Sequence, residues 1–264
     1  MKKPAKFSHV FHICGAGILA ASIFITQAHA ASLQVAPILL EFSPQEKVKE
    51  LWLTNTGNES IRAQVRVNAW TQSNQQDILT NSKDLIASPM VISIPAGQRQ
   101  LVRLIRNTQI ANTTEQAYRL IVDELPNSQT DVQSGLQLLL KYSIPVFLKV
   151  SDSNDTDQGI TSLQGMSFKY NTQTLTINNQ SSHYKRFSQF SYMDAQGKKI
   201  PIQMGLMGYV LSGKSMQWKI PNNINVTRGG KFIAVVNMDL REQTLPLSPL
   251  SLIHISEPTR QAEI

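Results

Sequence analysis

The chain has 264 residues, with 25 Lys and Arg against 18 Asp and Glu, 41% hydrophobic residues and a single cysteine. A formal charge of +7, spread along the sequence without an arginine-lysine block, excludes a nucleic-acid binder of the usual basic-patch kind. The length accommodates two domains of ordinary size, and one cysteine excludes a disulfide framework.

The first thirty residues read as a secretory signal. Lys2, Lys3 and Lys6 form a positive start, Ile13 to Thr26 is mostly apolar, and Ala28-His29-Ala30 has the small-x-small form of a cleavage site. The apolar run is too short and too interrupted for a spanning helix, so the expectation is cleavage after Ala30 and no membrane insertion. Cys14 leaves with this segment, and Phe11-His12-Ile13 lacks the small residues of a lipidation site. The remainder carries 22 basic against 18 acidic residues, a net +4, and no thiol for catalysis or cross-linking. It must therefore hold itself together by core burial, which a chain of this length can do.

From Ala31 onward the pattern is all-β. Candidate strands are Leu33–Phe42, Val48–Thr54, Ile61–Trp70, Met90–Ile94, Gln100–Arg106, Ala117–Leu125 and Leu136–Val150. Leu51 and Leu53 alternate with Glu50 and Trp52, and Val65 and Val67 with Arg66 and Asn68, the period of strands with one face on a core. Asn55-Thr56-Gly57-Asn58 and Pro95-Ala96-Gly97 are turn chemistry. Seven short strands within 31–150 predict an immunoglobulin-like sandwich. The polar, acidic run Ser151–Gly159 reads as a linker. A second set, Ser167–Tyr170, Thr174–Asn178, Ser188–Met193, Met216–Ile220 and Lys231–Met238, predicts a second sandwich over 160–250, with turns at Asn178-Asn179 and Asp194–Gly197. Residues 251–264 bear no relation to a closing strand and read as a non-native tail. The second domain is then expected to lack its last strand, leaving an unpaired edge.

Enzyme signatures are missing: the sequence holds no G-x-S-x-G elbow, phosphate loop, H-E-x-x-H or His/Cys/Asp cluster. His9, His12 and His29 fall in the signal and His254 in the tail. His183, in a polar turn, reads as solvated surface. Asp123 and Glu124 are neighbours on one strand and point to opposite faces, so they do not form an acid pair. Neither an enzymatic activity nor a cofactor is expected.

The segment Leu136–Phe147 admits two readings. Leu136, Leu138 and Leu140 share one face, while Gln137, Leu139 and Lys141 share the other. It is either an ordinary core strand or an edge strand that carries leucines outward for a partner, as in β-strand addition.

The run Leu136-Gln137-Leu138-Leu139-Leu140-Lys141-Tyr142-Ser143-Ile144-Pro145-Val146-Phe147 resembles the last first-domain strand of PapD-like periplasmic pilus assembly chaperones. Its Lys141–Phe147 part is similar to the archaic chaperone–usher branch, that of Csu pili. Two further blocks agree, Ser88-Pro89 through Pro95-Ala96-Gly97 to Val102-Arg103, and Tyr118-Arg119-Leu120 through Glu124-Leu125-Pro126. The resemblance runs from about Leu33 to Leu240.

The resemblance implies two immunoglobulin-like sandwiches in an L or boomerang arrangement, in the periplasm, without a cofactor. It implies donor-strand complementation: pilus subunits lacking a final strand accept the chaperone's strand in one-to-one complexes and pass to an outer-membrane usher. Leu136, Leu138 and Leu140 become the donors, with Val132 a further one. The family holds the subunit's C-terminal carboxylate with paired basic residues in the interdomain cleft. Here Ile38 and Pro145 occupy the positions where the better-known branch has Arg and Lys. Arg119 and Lys141 are the preferred substitutes and Arg103 a weaker one. Edge physics adds self-association of the client-free chain. The competing expectation is a structural or adhesive two-domain module of a surface fibre.

Overall fold

The computed structural model describes residues 32–107, 114–126, 138–150, 163–224, 226, 229–239 and 241–248. The expected signal, Val132, Leu136, the Ser151–Gly159 linker and the 251–264 tail lie outside these residues. Among the described residues every regular element is a strand.

The first sandwich contains ten strands among the described residues. One sheet runs β1 (Leu33–Ala36), β3 (Val48–Asn55), β8 (Arg99–Arg106) and β6 (Leu85–Ser88) in that spatial order. The facing sheet runs β2 (Leu40–Phe42), β10 (Lys141–Leu148), β9 (Gln116–Leu125), β4 (Ile61–Ser73) and β5 (Gln76–Asn81), with β7 (Val91–Ile94) also paired to β4. Inward positions repeat every second residue, as the pleat requires. Leu51 and Leu53, Ala63 and Val65, Val102 and Leu104, and Leu120 and Val122 seal one core between the sheets.

The second sandwich pairs β11 (Met166–Asn171), β12 (Thr174–Asn179) and β15 (Ser215–Lys219) against β14 (Lys199–Val210), β13 (Lys185–Asp194), β16 (Gly230–Val236) and β17 (Glu242–Leu245). Its core is aromatic: Phe168, Phe187, Phe190, Tyr192 and Phe232 are buried together. The two-sandwich, all-β class expected from the pattern is the observed one.

Departures from the expected strands have local causes. Leu33–Phe42 is two strands, not one. Pro37 has no N–H with which to continue a ladder, and the chain crosses from the sheet of β3 to the sheet of β10, leaving Ile38 exposed. Strand β5 is absent from the sequence reading because all six of its residues are exposed and show no alternation. Its hairpin also turns through Asn74 and Gln75, both at positive φ (51° and 59°), a type I′ turn made without glycine. Thr172 and Gln173 repeat that turn between β11 and β12. Strand β14 has no clear sequence period, its pairing being broken by register shifts opposite Phe187–Ser191. The short strands β6 and β17 were likewise not foreseen. Asn178-Asn179, expected to be a turn, ends β12 instead.

Candidate functional site

Strand β10 begins at Lys141, after Leu138–Leu140, which lie outside the strand, and Leu136 falls outside the described residues. Strand β10 pairs with β9 along its whole length, from Lys141 opposite Asp123 to Leu148 opposite Gln116. On its other side, β2 covers only Val146–Leu148. Lys141–Pro145 therefore has a ladder partner on one edge alone among the described strands. Pro145, which cannot donate to a ladder, is tolerated at such an edge.

The core-facing row of this strand emerges from its own sandwich. Leu148, Val146 and Ile144 are sealed in the core, Tyr142 and Leu140 pack at its rim, and Leu138 is 63% exposed. The Tyr142 hydroxyl donates to the Leu33 carbonyl at 2.6 Å, tying the strand across to β1. Beyond β10 the pairing continues for one more residue: the Glu124 N–H donates to the Leu140 carbonyl at 2.9 Å. The Leu140 N–H in turn donates to Glu124 Oε2 at 3.1 Å. Leu138 thus precedes a segment fixed on one side, with its side chain largely in solvent.

The outward face of the same sheet forms the floor where the second sandwich packs. Trp70 and Phe147 from the first sandwich and Tyr184, Tyr209 and Leu211 from the second make a separate buried cluster, with Leu39 and Ala117 at its margin. Phe147 and Tyr184 stack with centroids 3.7 Å apart and planes 9° apart. Gln72 closes the junction with polar bonds: its Nε2 donates to the Tyr209 carbonyl at 2.9 Å, and its Oε1 accepts from the Leu211 N–H at 2.9 Å. Beside them Glu115, only 2% exposed, accepts from the Tyr184 N–H at 2.8 Å and lies 3.6 Å from His183 Nδ1. Burial pushes the Glu115 carboxyl above the usual range, against the opposing pull of His183. His183 is therefore not the solvated loop residue the sequence suggested, because the turn that carries it is pressed between the sandwiches.

Arg119, on the outward side of β9, stands at the mouth of this junction. Its side chain is 14% exposed, 3.9 Å from Asp77. Its guanidinium carbon lies 3.7 Å from the Trp70 ring centre and 5.2 Å from that of Tyr209. Burial pulls its pKa down from the ordinary arginine value, while Tyr209 and Asp77 oppose that shift. A guanidinium remains charged under such a shift. The site is a fixed cation in an aromatic recess, suited to a planar anion.

The other two expected basic residues lie elsewhere. Lys141 sits opposite Asp123 while Arg119 sits opposite Pro145, so they are four ladder positions apart, roughly 13 Å along the strands. Lys141 is largely exposed and 3.6 Å from Asp123, which is also bound by Arg66. Arg103 is exposed on the other sheet, opposite Glu50 and Ser88. The residues that sequence reasoning missed are Trp70, Gln72, Asp77 and Tyr209. Trp70 alone left a signal: it follows Arg66 and Asn68 at the outward parity of β4, a large apolar ring on a polar face.

Residues 32–150 match the family model described as pili and flagellar-assembly chaperone, PapD N-terminal domain. Among solved structures, the chain is similar to one from the CsuC–CsuE chaperone–tip adhesion subunit pre-assembly complex of archaic chaperone-usher Csu pili of Acinetobacter baumannii. There the identity is 26%, the TM-score 0.60, and coverage 81% of this chain and 97% of that one. It shares its fold with the Pseudomonas aeruginosa CupB2 chaperone at 15% identity and TM-score 0.56, covering 80% of this chain and 97% of that one. It also shares it with the YadV chaperone at 17% identity and TM-score 0.61, covering 81% and 100%. A comparison with curated proteins returned no match.

Proposed function

We propose that the chain, whose residues 32–150 match the family model described as pili and flagellar-assembly chaperone, PapD N-terminal domain, is a periplasmic chaperone that folds and caps pilus subunits by donor-strand complementation. The observation that carries this reading is the core row of β10 running out past its own sandwich to an exposed Leu138, beside an edge without a second ladder partner among the described strands. A client sandwich lacking a strand would accept backbone bonds along that edge and seat alternate side chains in its groove. Leu136, Leu138 and Leu140 are the donors, with Val132 an extension of the same series. Burying three leucines amounts to about 5–9 kcal/mol gross, before the costs of association.

Register matters as much as affinity, since a slip of one residue turns every donor to the wrong side. A client's terminal carboxylate held at Arg119 would fix it. Burial and the aromatic surroundings support Arg119 for this role. Lys141, already beside Asp123, is the more distant member, and Arg103, on the other sheet, has the least support. Export through a cleaved signal at 1–30 and delivery of the client to an outer-membrane usher complete the proposal.

The test is co-expression with pilus subunits from the same organism. Leu138→Glu is expected to abolish the one-to-one complex and the periplasmic yield of the subunit, while the chaperone itself accumulates normally. Unchanged subunit yield would overturn the donor assignment. Recovery of the native chain inside the mature fibre would replace the chaperone reading with a structural one.

A further inference from the structure

Arg119 is held by both sandwiches. The Trp70 ring, from β4, lies 3.7 Å below its guanidinium carbon, and the Tyr209 ring, from β14, lies 5.2 Å to its side. The two rings stand at 80° to one another, their centroids 5.3 Å apart. They form a floor and a wall that confine the head group from two sides, while 14% of the Arg119 side chain stays exposed. The wall is itself fastened to the first sandwich, because the Tyr209 carbonyl accepts from Gln72 Nε2 at 2.9 Å. The same Nε2 donates to Asp77 Oδ1 at 2.9 Å, and Asp77 Oδ2 stands 3.9 Å from Arg119. At that separation Asp77 supplies charge without hydrogen-bonding the guanidinium, which leaves the fork's N–H groups for an incoming anion.

We infer that Trp70 and Tyr209 are positioning residues which fix the plane of the Arg119 guanidinium, so that the cleft selects a client ending in a free, planar carboxylate. This rests on the reading of Arg119 as the carboxylate-binding group. The physical basis is preorganisation. A free arginine side chain samples many rotamers and loses that freedom on binding, whereas one already confined by two rings loses little and presents its paired donors in the geometry of a carboxylate. A lysine in the same recess would supply charge but neither the stacking nor the fork. The wall comes from the second sandwich, so selectivity for the client's terminus depends on the junction between domains and not on the donor strand's domain alone.

The probe is a pilus subunit from the same organism that forms a one-to-one complex with the chain, prepared with its native C-terminal carboxylate and, by intein ligation, with a C-terminal carboxamide. The native chaperone is expected to prefer the acid form by about ten- to a hundredfold, the range for hydrogen bonds to a charged group. Arg119→Ala is expected to bring that ratio close to one. Tyr209→Phe, which keeps the ring, should retain the preference, and Tyr209→Leu should reduce it to about threefold or less while the amide form binds as before. If Arg119→Ala leaves the ratio intact, the reading of Arg119 fails. If Arg119→Ala abolishes it and Tyr209→Leu does not, the positioning inference fails on its own. A second measurement needs no variant: nitrogen NMR of the Arg119 side chain should show separate, slowly exchanging terminal N–H signals, and a single averaged signal would overturn the inference.

Discussion

Asn55 and Asn179 make the same set of hydrogen bonds in the two sandwiches. Each ends a strand, β3 or β12, and is buried. Asn55 Nδ2 donates to the Glu59 carbonyl at 2.7 Å and the Ile94 carbonyl at 2.9 Å, and its Oδ1 accepts from the Gly57 N–H at 2.9 Å. Asn179 Nδ2 donates to the His183 and Val210 carbonyls at 2.8 and 2.9 Å, and its Oδ1 accepts from the Ser181 N–H at 3.0 Å. In both cases one amide clamps the following turn to the end of another strand, β7 or β14. The side chain satisfies three backbone groups that the turn would otherwise bury without partners.

Asn55→Leu and Asn179→Leu are each expected to cost about 2–5 kcal/mol, since two carbonyls and an N–H lose their partners at once. The check is denaturant unfolding together with hydrogen exchange at the Gly57 and Ser181 amides. Loss of protection confined to the altered turn is the expected pattern, and unchanged exchange at both amides would count against the clamp.

The exposure gradient along β10 separates stability from client binding. Leu138→Glu should leave unfolding of the chaperone within about 0.5 kcal/mol of the native chain, because the side chain is in solvent. Leu148→Ala, on the same face but sealed in the core, should cost about 2–5 kcal/mol. Equal effects at the two positions, measured by urea denaturation, would show that the row is a single core stripe.

Gln72→Leu is expected to weaken the junction between the sandwiches by about 2–4 kcal/mol, since the Tyr209 carbonyl and Leu211 N–H both lose their buried partner. Limited proteolysis and small-angle scattering should report the loosening as faster cleavage and a larger radius of gyration. No change in either would assign the junction to the aromatic stack alone.

Glu115 introduces a pH dependence of definite sign. Its carboxyl is raised by burial and by the negative charge of Glu41, and opposed by His183 and the Tyr184 N–H. A carboxyl with a folded-state pKa above its unfolded value contributes fully below the unfolded value of 4.5, and its contribution fades as pH rises through the folded value. Glu115→Gln lacks this titration, and its carboxamide oxygen still accepts from Tyr184. Its melting temperature should therefore gain on that of the native chain between pH 4.5 and 7.5. A constant difference across that range would exclude Glu115 as the titrating group.

Period-two alternation in segments such as Ile61–Trp70 and Gln100–Arg106 determined the strands, because a strand with one buried face must alternate. The polar, acidic run after Val150 holds no residue for a core, which is why it reads as a linker. The leucines before Lys141 were visible as residues, but one strand pattern serves both a core and a donor. Only the ladder, in which β2 covers Val146–Leu148 and no other described strand covers that edge of Lys141–Pro145, distinguishes where the row leaves the core. Nor could sequence have assembled the recess around Arg119. Trp70, Asp77 and Tyr209 lie on three strands, the last in the other sandwich, and no short-range pattern links residues that meet only when two sandwiches pack. Local periodicity is set by the backbone and is written in neighbouring residues, whereas a site built across an interface is set by tertiary contact.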